Sequence, residues 1–375
     1  MENIDEKELT VGTFACTSCG ADLKYKPGTE HLTCEYCGAQ NEIPKIEGEI
    51  EELDFRKFLA EKSETEETIV ERFVKCESCG ASSTLEPNVT SALCPYCSTP
   101  MVVEQANDET VIQPKSLLPF KLDKDAAKGQ FQKWIKKLWF APNDLKKAAL
   151  NFDHFKGIYI PYWTFDTNTD THYVGQRGEH YYVTESYTTT ENGKTVSKTR
   201  QVQKTRWYPA SGNVHKFFDD ILTVATRSLP KKYIYKLEPW DLENLIPFNK
   251  NYLSGFITEK YQIELAEGFD IAKEIADSKI HSLVKDDIGG DEQRIISINT
   301  NYNDIKFKHL LLPVFVSAYK FKDKLYQFLV NGRTGEVQGQ RPYSWVKIAL
   351  TVLGTAIVIA GVVMLIQYFK ADTAV

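Results

Sequence analysis

The sequence lacks the short motifs that identify several common classes of enzyme. It contains no H-E-x-x-H and no G-x-S-x-G, which argues against a zincin-type metalloprotease and an α/β-hydrolase. The triplet GKT at 193–195 ends like a phosphate-binding loop, but Thr188 stands where such a loop requires its first glycine. Three histidines have no cysteine or carboxylate at metal-ligand spacing, and we interpret them as packing or surface residues: His154, His172 and His180. We therefore expect a protein that is not an enzyme. A site hidden in the aromatic β-rich region is the enzyme alternative that the sequence leaves open.

Cysteine is absent after residue 97, and all eight cysteines fall in two frames of identical spacing. CTSCG at 16–20 returns as CESCG at 76–80, and both frames read C-x2-C-x14-C-x2-C. Two C-x-x-C turns brought together supply four thiolates at tetrahedral geometry, which is the ligand set of a structural Zn²⁺. The predicted zinc ligands are Cys16, Cys19, Cys34 and Cys37 in the first frame and Cys76, Cys79, Cys94 and Cys97 in the second.

Disulfides are the competing interpretation, because eight cysteines are also an even number. Paired C-x-x-C turns in a chain that faces the cytosol favour zinc. Glycine follows the second cysteine of three of the four turns, where the backbone must turn sharply: Gly20, Gly38 and Gly80. We predict two zinc ribbons over 10–45 and 73–104, joined by an acidic linker over 46–72. A site with four thiolates has no open coordination position, so we predict a structural role for both metals.

Basic residues are scarce in the N-terminal third of the chain. Residues 1–113 contain 23 Asp/Glu against 9 Lys/Arg, a balance of −14, whereas residues 114–375 contain 28 against 36, a balance of +8. Each Zn²⁺ with four thiolates adds a formal charge of −2 to the acidic part. Because phosphate binding draws its affinity from Lys and Arg, we expect the ribbons to bind protein rather than nucleic acid.

Only one uncharged apolar run reaches 19 residues, from Ile348 to Ile366. As a helix it would cross roughly 28 Å of hydrocarbon, and we predict a transmembrane helix over 346–369. A buried core helix is the alternative, but the segment is apolar on all sides. Small residues such as Gly354 and Gly361 would let a partner helix or a second copy of the chain approach closely.

Charge at the two ends of the chain predicts its topology. The opening residues MENIDEKE have no apolar core, so a secretory signal is not predicted. Arg333, Arg341 and Lys347 precede the apolar run, whereas Lys370 and Asp372 after it cancel. The positive-inside bias and the need of thiolates for a reducing compartment both favour a cytoplasmic location for residues 1–346. We expect a tail-anchored, single-pass protein of the cell membrane.

Between the ribbons and the apolar run, aromatic and β-branched residues alternate with polar ones. The pattern after residue 157 predicts an antiparallel hairpin that turns at Asn192-Gly193. A helix near 267–285 precedes strands near 293–302, 311–321 and 325–331. Because a helix followed by antiparallel strands occurs twice, we predict an α+β body with units at 115–230 and 231–343.

The segment 123–140 places Phe131, Trp134, Ile135 and Leu138 on one face of a helix. The favoured interpretation is a helix that packs this aromatic stripe on a sheet. The alternative is a lysine-bearing amphipathic helix that lies on an anionic membrane.

The chain resembles a family of bacterial zinc-ribbon membrane proteins. The resemblance rests on the paired ribbons, on FKGIYIPYWTFD, YVGQRGEHYYV, IGGDEQR, FKHLLLPVFVSAYKF and VNGRTGEVQGQRPYS, and on the terminal apolar helix. Members are often labelled TFIIB-type zinc-ribbon proteins or primosomal protein N′-like helicases. Some are encoded beside phage-shock protein A and SPFH-domain proteins, and the resemblance implies a membrane receptor for such proteins. The helicase label transfers poorly, because this sequence has no phosphate loop and no ATPase region of helicase length.

From these observations we expect a non-enzymatic membrane adaptor. Its cytosolic zinc ribbons and α+β body would recruit protein partners to the inner membrane face, in envelope stress. The alternative is a nucleic-acid-binding or replication- or transcription-associated zinc-ribbon protein that uses the basic remainder of the chain.

Overall fold

The computed structural model describes residues 14–46, 48, 50–60, 68–84, 91–102, 106–145, 155–191, 194–321 and 324–372. The chain is a mixed α+β protein with antiparallel sheets, two four-cysteine clusters near the N-terminus and one long apolar helix at the C-terminus. This agrees with the expected fold class at that level. The helices are α1 Phe55–Ala60, α2 Lys124–Lys137, α3 Lys231–Ile234, α4 Leu265–Ile288 and α5 Trp345–Asp372.

The strands vary from two residues to more than thirty. They are β1 Leu23–Tyr25, β2 His31–Cys34, β3 Gln40–Glu42, β4 Leu53–Asp54, β5 Thr68–Lys75, β6 Ser82–Ser83, β7 Ser91–Leu93, β8 Pro100–Val102, β9 Ala106–Ile112, β10 Ser116–Leu117, β11 Lys156–Glu191, β12 Lys194–Val224, β13 Ile246–Pro247, β14 Ile257–Thr258, β15 Glu292–Phe321, β16 Lys324–Asn331 and β17 Val337–Gly339.

A nine-stranded sheet forms the body, and its three long strands are neighbours in the order β12, β11 and β15, with β12 at one edge. β11 has 36 residues, which at 3.3 Å per residue is a contour of about 120 Å. It pairs antiparallel with β12 along the predicted hairpin and antiparallel with β15 from Lys156 to Gly178. Beyond Gly178 the β11–β12 pair continues as a two-stranded ribbon. Strands from both predicted α+β units therefore share one sheet.

The strands predicted near 293–302 and 311–321 are one continuous strand, β15. Apolar and polar residues continue to alternate through Ile305, Lys306 and Phe307, so nothing in the intervening sequence ends the strand. The irregularity appears instead as a positive φ of 49° at Asp304 beside a register shift against β11. The predicted hairpin turn at 192–193 and His154 lie outside the described residues.

Helix α4 covers one face of the long strands. Its buried stripe packs on aromatic and aliphatic side chains of β11, β12 and β15. The fit is close at Gly268, where an added Cβ would lie 2.6 Å from Cδ1 of Trp163. The predicted helix of 267–285 is confirmed with slightly longer bounds, Leu265–Ile288.

Helix α2 packs its aromatic stripe on the sheet, as the favoured interpretation requires. The side chain of Asp123 caps the helix by accepting a hydrogen bond from the Ala126 amide at 2.8 Å. The ring of Phe131 stacks on Phe328 of β16 with centroids 3.9 Å apart. The stripe is thus unavailable to a membrane along the length of the helix.

Part of the segment predicted as an acidic linker is folded onto the body. β4 pairs with β15 at Lys306 and Phe307. The next residues form α1, whose Phe55 and Phe58 are buried against Phe307. β5 begins at Thr68, also inside the predicted linker.

Candidate metal centres

Each set of four cysteines converges into one cluster. Within each cluster the four sulfur atoms all lie within 4.8 Å of one another. In the first cluster, the Sγ atoms of Cys16 and Cys37 and those of Cys19 and Cys34 are 3.6 Å apart. A regular tetrahedron around Zn²⁺ with bonds of 2.3 Å has edges of about 3.8 Å, so four sulfurs at these distances fit such an ion.

The second cluster repeats this geometry. Its Sγ atoms are 3.5 Å apart between Cys76 and Cys97 and 3.6 Å apart between Cys79 and Cys94. These separations are far longer than a disulfide bond of about 2.05 Å, and all eight cysteines are free. The geometry therefore supports metal binding at both clusters and not the disulfide interpretation.

All four C-x-x-C turns use the same backbone hydrogen bonds. In the first, the Gly20 amide donates to the Cys16 carbonyl and the Cys16 amide donates to the Ala21 carbonyl, both at 2.8 Å. The three glycines at this position have φ between 73° and 76°, which confirms the expected sharp turn. In the fourth turn Ser98 takes the same place with φ of 61°.

Backbone amides and mutual repulsion set the protonation of the first cluster. The amide of Ser18 lies 3.4 Å from Sγ of Cys16 and lowers the pKa of that thiol to about 6. The amide of Ala21 likewise lowers the pKa of Cys19, but the neighbouring thiols, Cys37 first among them, and burial together outweigh it and raise that pKa to about 12. Four thiols this close cannot all ionise without a compensating charge, and a divalent cation supplies it.

The first four-cysteine module, residues 14–46, is packed into the body. Tyr25 of β1 donates its hydroxyl to the carbonyl of Phe120 at 3.0 Å. The amide of Gly28 donates to the same carbonyl at 3.0 Å, and the close approach leaves only 3.0 Å between a Cβ at Gly28 and the Lys121 oxygen. Leu23, Tyr25 and the buried cysteines of this module belong to the same core cluster as helix α2.

The second four-cysteine module, residues 68–84, 91–102 and 106–112, is fixed by a buried polar contact. Tyr96 lies between the last two cysteines and is fully buried, and its hydroxyl donates to Oε2 of Glu259 at 2.6 Å. Thr226 donates to the other carboxylate oxygen at 2.6 Å. Burial raises the pKa of Glu259 to about 7. Gln327 reaches the same turn by donating to the Tyr96 carbonyl at 2.7 Å.

Two further buried ionisable groups were not predicted from the sequence. The ammonium of Lys308 lies 3.1 Å from Glu52 and 2.9 Å from Asp220 and so joins the segment before β4 to the sheet. His309 is buried, and its Nδ1 lies 2.8 Å from the carbonyl oxygen of Ile112. Each has partners far along the chain, and no local motif marks either residue.

His172 and His180, which were predicted to be packing or surface residues, make contacts at the surface. Nε2 of His180 lies 2.8 Å from Oε1 of Glu292, and Nδ1 of His172 lies 3.1 Å from Oδ1 of Asn213. Neither histidine belongs to a group of metal-ligating side chains among the described residues, where the two cysteine clusters are the groups found.

The start of α5 is hydrogen-bonded to the loop that follows α2. Ser344 donates its amide to the Phe140 carbonyl at 2.8 Å. Lys347 donates its ammonium to the Ala141 carbonyl and to Oδ1 of Asn143, both at 2.8 Å. The most apolar 18-residue window of the segment Trp345–Ile366 has a mean hydropathy of 2.6 and no buried part. The segment is long and apolar enough to cross a membrane.

The fold and the clusters together define a protein of two four-cysteine modules packed on an α+β body that ends in an apolar helix. Among curated proteins it is similar to YdjG of Bacillus subtilis strain 168, described as uncharacterized, with 28% identity over 350 residues. The similarity covers 92% of this chain and 94% of YdjG. No protein-family model matches the chain. No solved structure matches it either.

Proposed function

We propose that this protein is a single-pass membrane adaptor whose body recruits protein partners to the inner membrane face. Helix α5 is the anchor, residues 1–346 are cytoplasmic, and two structural zinc ions stabilise the four-cysteine modules. The observation that carries the proposal is the combination of an unburied apolar helix at one end of the chain with a stretch of β15, before Lys306, whose outer edge has no partner strand among the described residues.

The anchor is supported by length and exposure. A span of 22 residues covers about 33 Å as a helix, enough for a hydrocarbon core of about 30 Å. A buried core helix, the alternative, would lie against the body, whereas this segment has no buried part in its most apolar window. Exposure of so much apolar surface to water has a free-energy cost, and insertion of the helix into lipid removes it.

The structural role of zinc is supported by how the modules are docked. Four sulfurs fill the coordination sphere of each ion, so no position remains for substrate. Cys94 and Tyr96 also belong to the core cluster of the sheet. The metals would therefore stabilise the docking of both modules. Because this role is structural, we place the recruiting surface on the body.

The recruiting surface that we propose is a groove between α4 and the outer edge of β15. The groove has a volume of about 770 Å³. No described strand pairs with this edge of β15 before Lys306. Ile296 on the strand is 65% exposed. Other lining residues are Ile295 and Ile298 on β15 and Lys273, His281 and Lys285 on α4.

The chemistry of the groove favours an extended acidic segment of a partner protein. An added strand would satisfy the outward N–H and C=O groups of β15, and its apolar side chains would cover the isoleucines. Lys285, His281 and Lys273 on α4 face one lining aspartate, Asp277, and favour carboxylates on the partner, although Lys273 also contacts Asp270 at 2.6 Å. The resemblance makes phage-shock protein A-like and SPFH-domain proteins the first partners to examine, in cells under envelope stress.

The test is crosslinking and affinity purification of the full-length chain from membranes, with nuclease treatment. The informative variant is Ile296→Asp, which puts a like charge in the path of an acidic segment. Its control is Ile275→Asp, which changes a 39% exposed isoleucine of α4 outside the groove lining. We expect a protein partner with the wild type and the control and its loss with Ile296→Asp. Equal recovery with both variants would overturn the groove, and no partner with any chain would overturn the adaptor.

Nucleic-acid binding is the second candidate, because β12 carries six Lys and Arg and no Asp or Glu from Lys194 to Phe218. Tyrosines interleave with this charge, as where Arg206 lies 5.0 Å from the ring centroid of Tyr181. Part of the charge is already paired, because Lys204 contacts Glu185 at 2.9 Å. This candidate predicts nucleic acid that co-purifies and is released by salt.

A further inference from the structure

The loop after α2 exposes large aromatic side chains beside the first turn of α5. Trp139 is 71% exposed and Phe140 is 37% exposed. On the other side of the contact, Trp345 is 83% exposed and Tyr343 is 55% exposed. Aromatic side chains of this size are usually covered when a soluble protein folds, so four of them at one place indicate a surface with a partner.

The hydrogen bonds described above fix this loop at the level of the membrane surface. Because the 22-residue apolar span that begins at Trp345 is about as long as the hydrocarbon core is thick, Trp345 lies at the interface between lipid and water. Phe140 accepts a hydrogen bond from the Ser344 amide, one residue before Trp345. Lys347 holds Ala141 in the same way. The loop cannot move away from the interface without breaking these contacts.

Basic side chains from three elements surround the aromatic group. Lys137 ends α2, Lys232 lies in α3, and Arg341 precedes α5. The guanidinium of Arg341 lies 5.6 Å from the ring centroid of Tyr343. The charge of Arg341 and, more weakly, that of Lys232 lower the pKa of the Tyr343 hydroxyl.

We propose that residues 138–145 form a second membrane contact, in which Trp139 and Phe140 enter the interfacial layer beside Trp345. Amphipathic aromatic rings favour this layer, and the cations of Lys137, Lys232 and Arg341 lie over lipid phosphates. The occupant of the surface is the lipid bilayer, because the surface is continuous with a segment that only lipid would cover. This rests on α5 being the membrane anchor.

The contact differs from the amphipathic-helix interpretation of the same segment. The stripe of α2 is buried on the sheet, and only the loop at its C-terminal end reaches the membrane. Two contacts hold the body at a fixed angle to the membrane, whereas a single tail would let it swing. The groove along β15 would then be presented to partners in one orientation.

The test is tryptophan quenching by lipids with brominated acyl chains, using the full-length chain in nanodiscs. Single substitutions to phenylalanine at Trp139, Trp207 and Trp345 give, by difference from the wild type, the emission of each indole. Trp207 lies in β12 and is the control. We expect brominated lipid to reduce the emission of Trp139 and Trp345 and to leave that of Trp207 unchanged.

The three indoles separate the two claims. Quenching of Trp345 without quenching of Trp139 would overturn the second contact and leave the anchor standing. Absence of quenching at Trp345 would overturn the anchor itself. In discs with anionic phosphatidylglycerol, Trp139 should be quenched more than in phosphatidylcholine, and the double variant Lys232→Gln/Arg341→Gln should abolish that difference. Equal quenching of the wild type in both lipids would overturn the role given to the cations.

Discussion

Protonation of His309 provides a quantitative test of how the body is packed. The imidazole is 4% exposed and lies between the rings of Trp163 and Tyr261, with centroids 4.8 Å and 5.6 Å away. Burial lowers its pKa from 6.5 to about 4, although the hydrogen bond to Ile112 acts in the opposite direction. The folded protein therefore binds this proton less readily than the unfolded chain does. Stability from the neutral imidazole is present above pH 6.5 and is lost as the pH falls towards 4.

The expected size follows from the two pKa values. For a group whose pKa is 6.5 in the unfolded chain and about 4 in the folded protein, the free energy of unfolding falls by about 1.4 kcal/mol from pH 7.5 to pH 5.5. The variant His309→Gln does not titrate, and its amide can still donate to Ile112. Urea unfolding of both full-length chains in detergent gives the free energy of unfolding at each pH. Its decrease from pH 7.5 to pH 5.5 should be larger by that amount in the wild type. Because the comparison is between two chains, contributions of the cysteine clusters cancel. Equal pH losses would refute the buried neutral imidazole.

Two further predictions concern packing and metal. Gly268→Ala should destabilise the protein by about 1–3 kcal/mol because the new methyl group overpacks Trp163. Gly129→Ala in α2, with no atom within 4 Å of the new Cβ, should stabilise it by about 0.5–1 kcal/mol. Thermal unfolding followed by circular dichroism measures both variants, and equal shifts in their melting temperatures would contradict the packing of α4. Substitution with Co²⁺ should give the intense thiolate-to-metal absorption of a tetrahedral site. Elemental analysis should find two ions per chain in the wild type and one in Cys19→Ser. Two ions per chain in Cys19→Ser would contradict the first site.

The parts of the fold that could be predicted from the sequence depend on local spacing. The two cysteine frames specify the clusters, because each C-x-x-C turn is a local structure and the repeat is identical. The helices predicted over 123–140 and near 267–285 agree with α2 and α4 to within a few residues at each end. The glycine signal is not needed at every turn, since Ser98 in the fourth turn adopts the positive φ that glycine adopts in the other three.

The parts that could not be predicted depend on contacts between distant residues. Tyr96 and Glu259 are 163 positions apart, and no local sequence pattern at either residue predicts the hydrogen bond that docks the second module. Lys308 likewise reads as a surface residue until Glu52 and Asp220 are placed beside it. The length of β15 was also missed, because a positive φ at Asp304 absorbs the irregularity without ending the strand.

The central claim is that the protein recruits a partner to the membrane. The most direct measurement is therefore the membrane-bound fraction of the partner rather than that of the adaptor. The partner captured by crosslinking would be followed by membrane flotation in cells that carry one of three chains. These are the wild type, Ile296→Asp, and a chain that ends at Ser344 before the apolar helix. We predict that the partner floats with membranes only in the wild type and that the shortened chain retains it in a soluble complex. A membrane-bound share of the partner that is the same with all three chains would contradict the account.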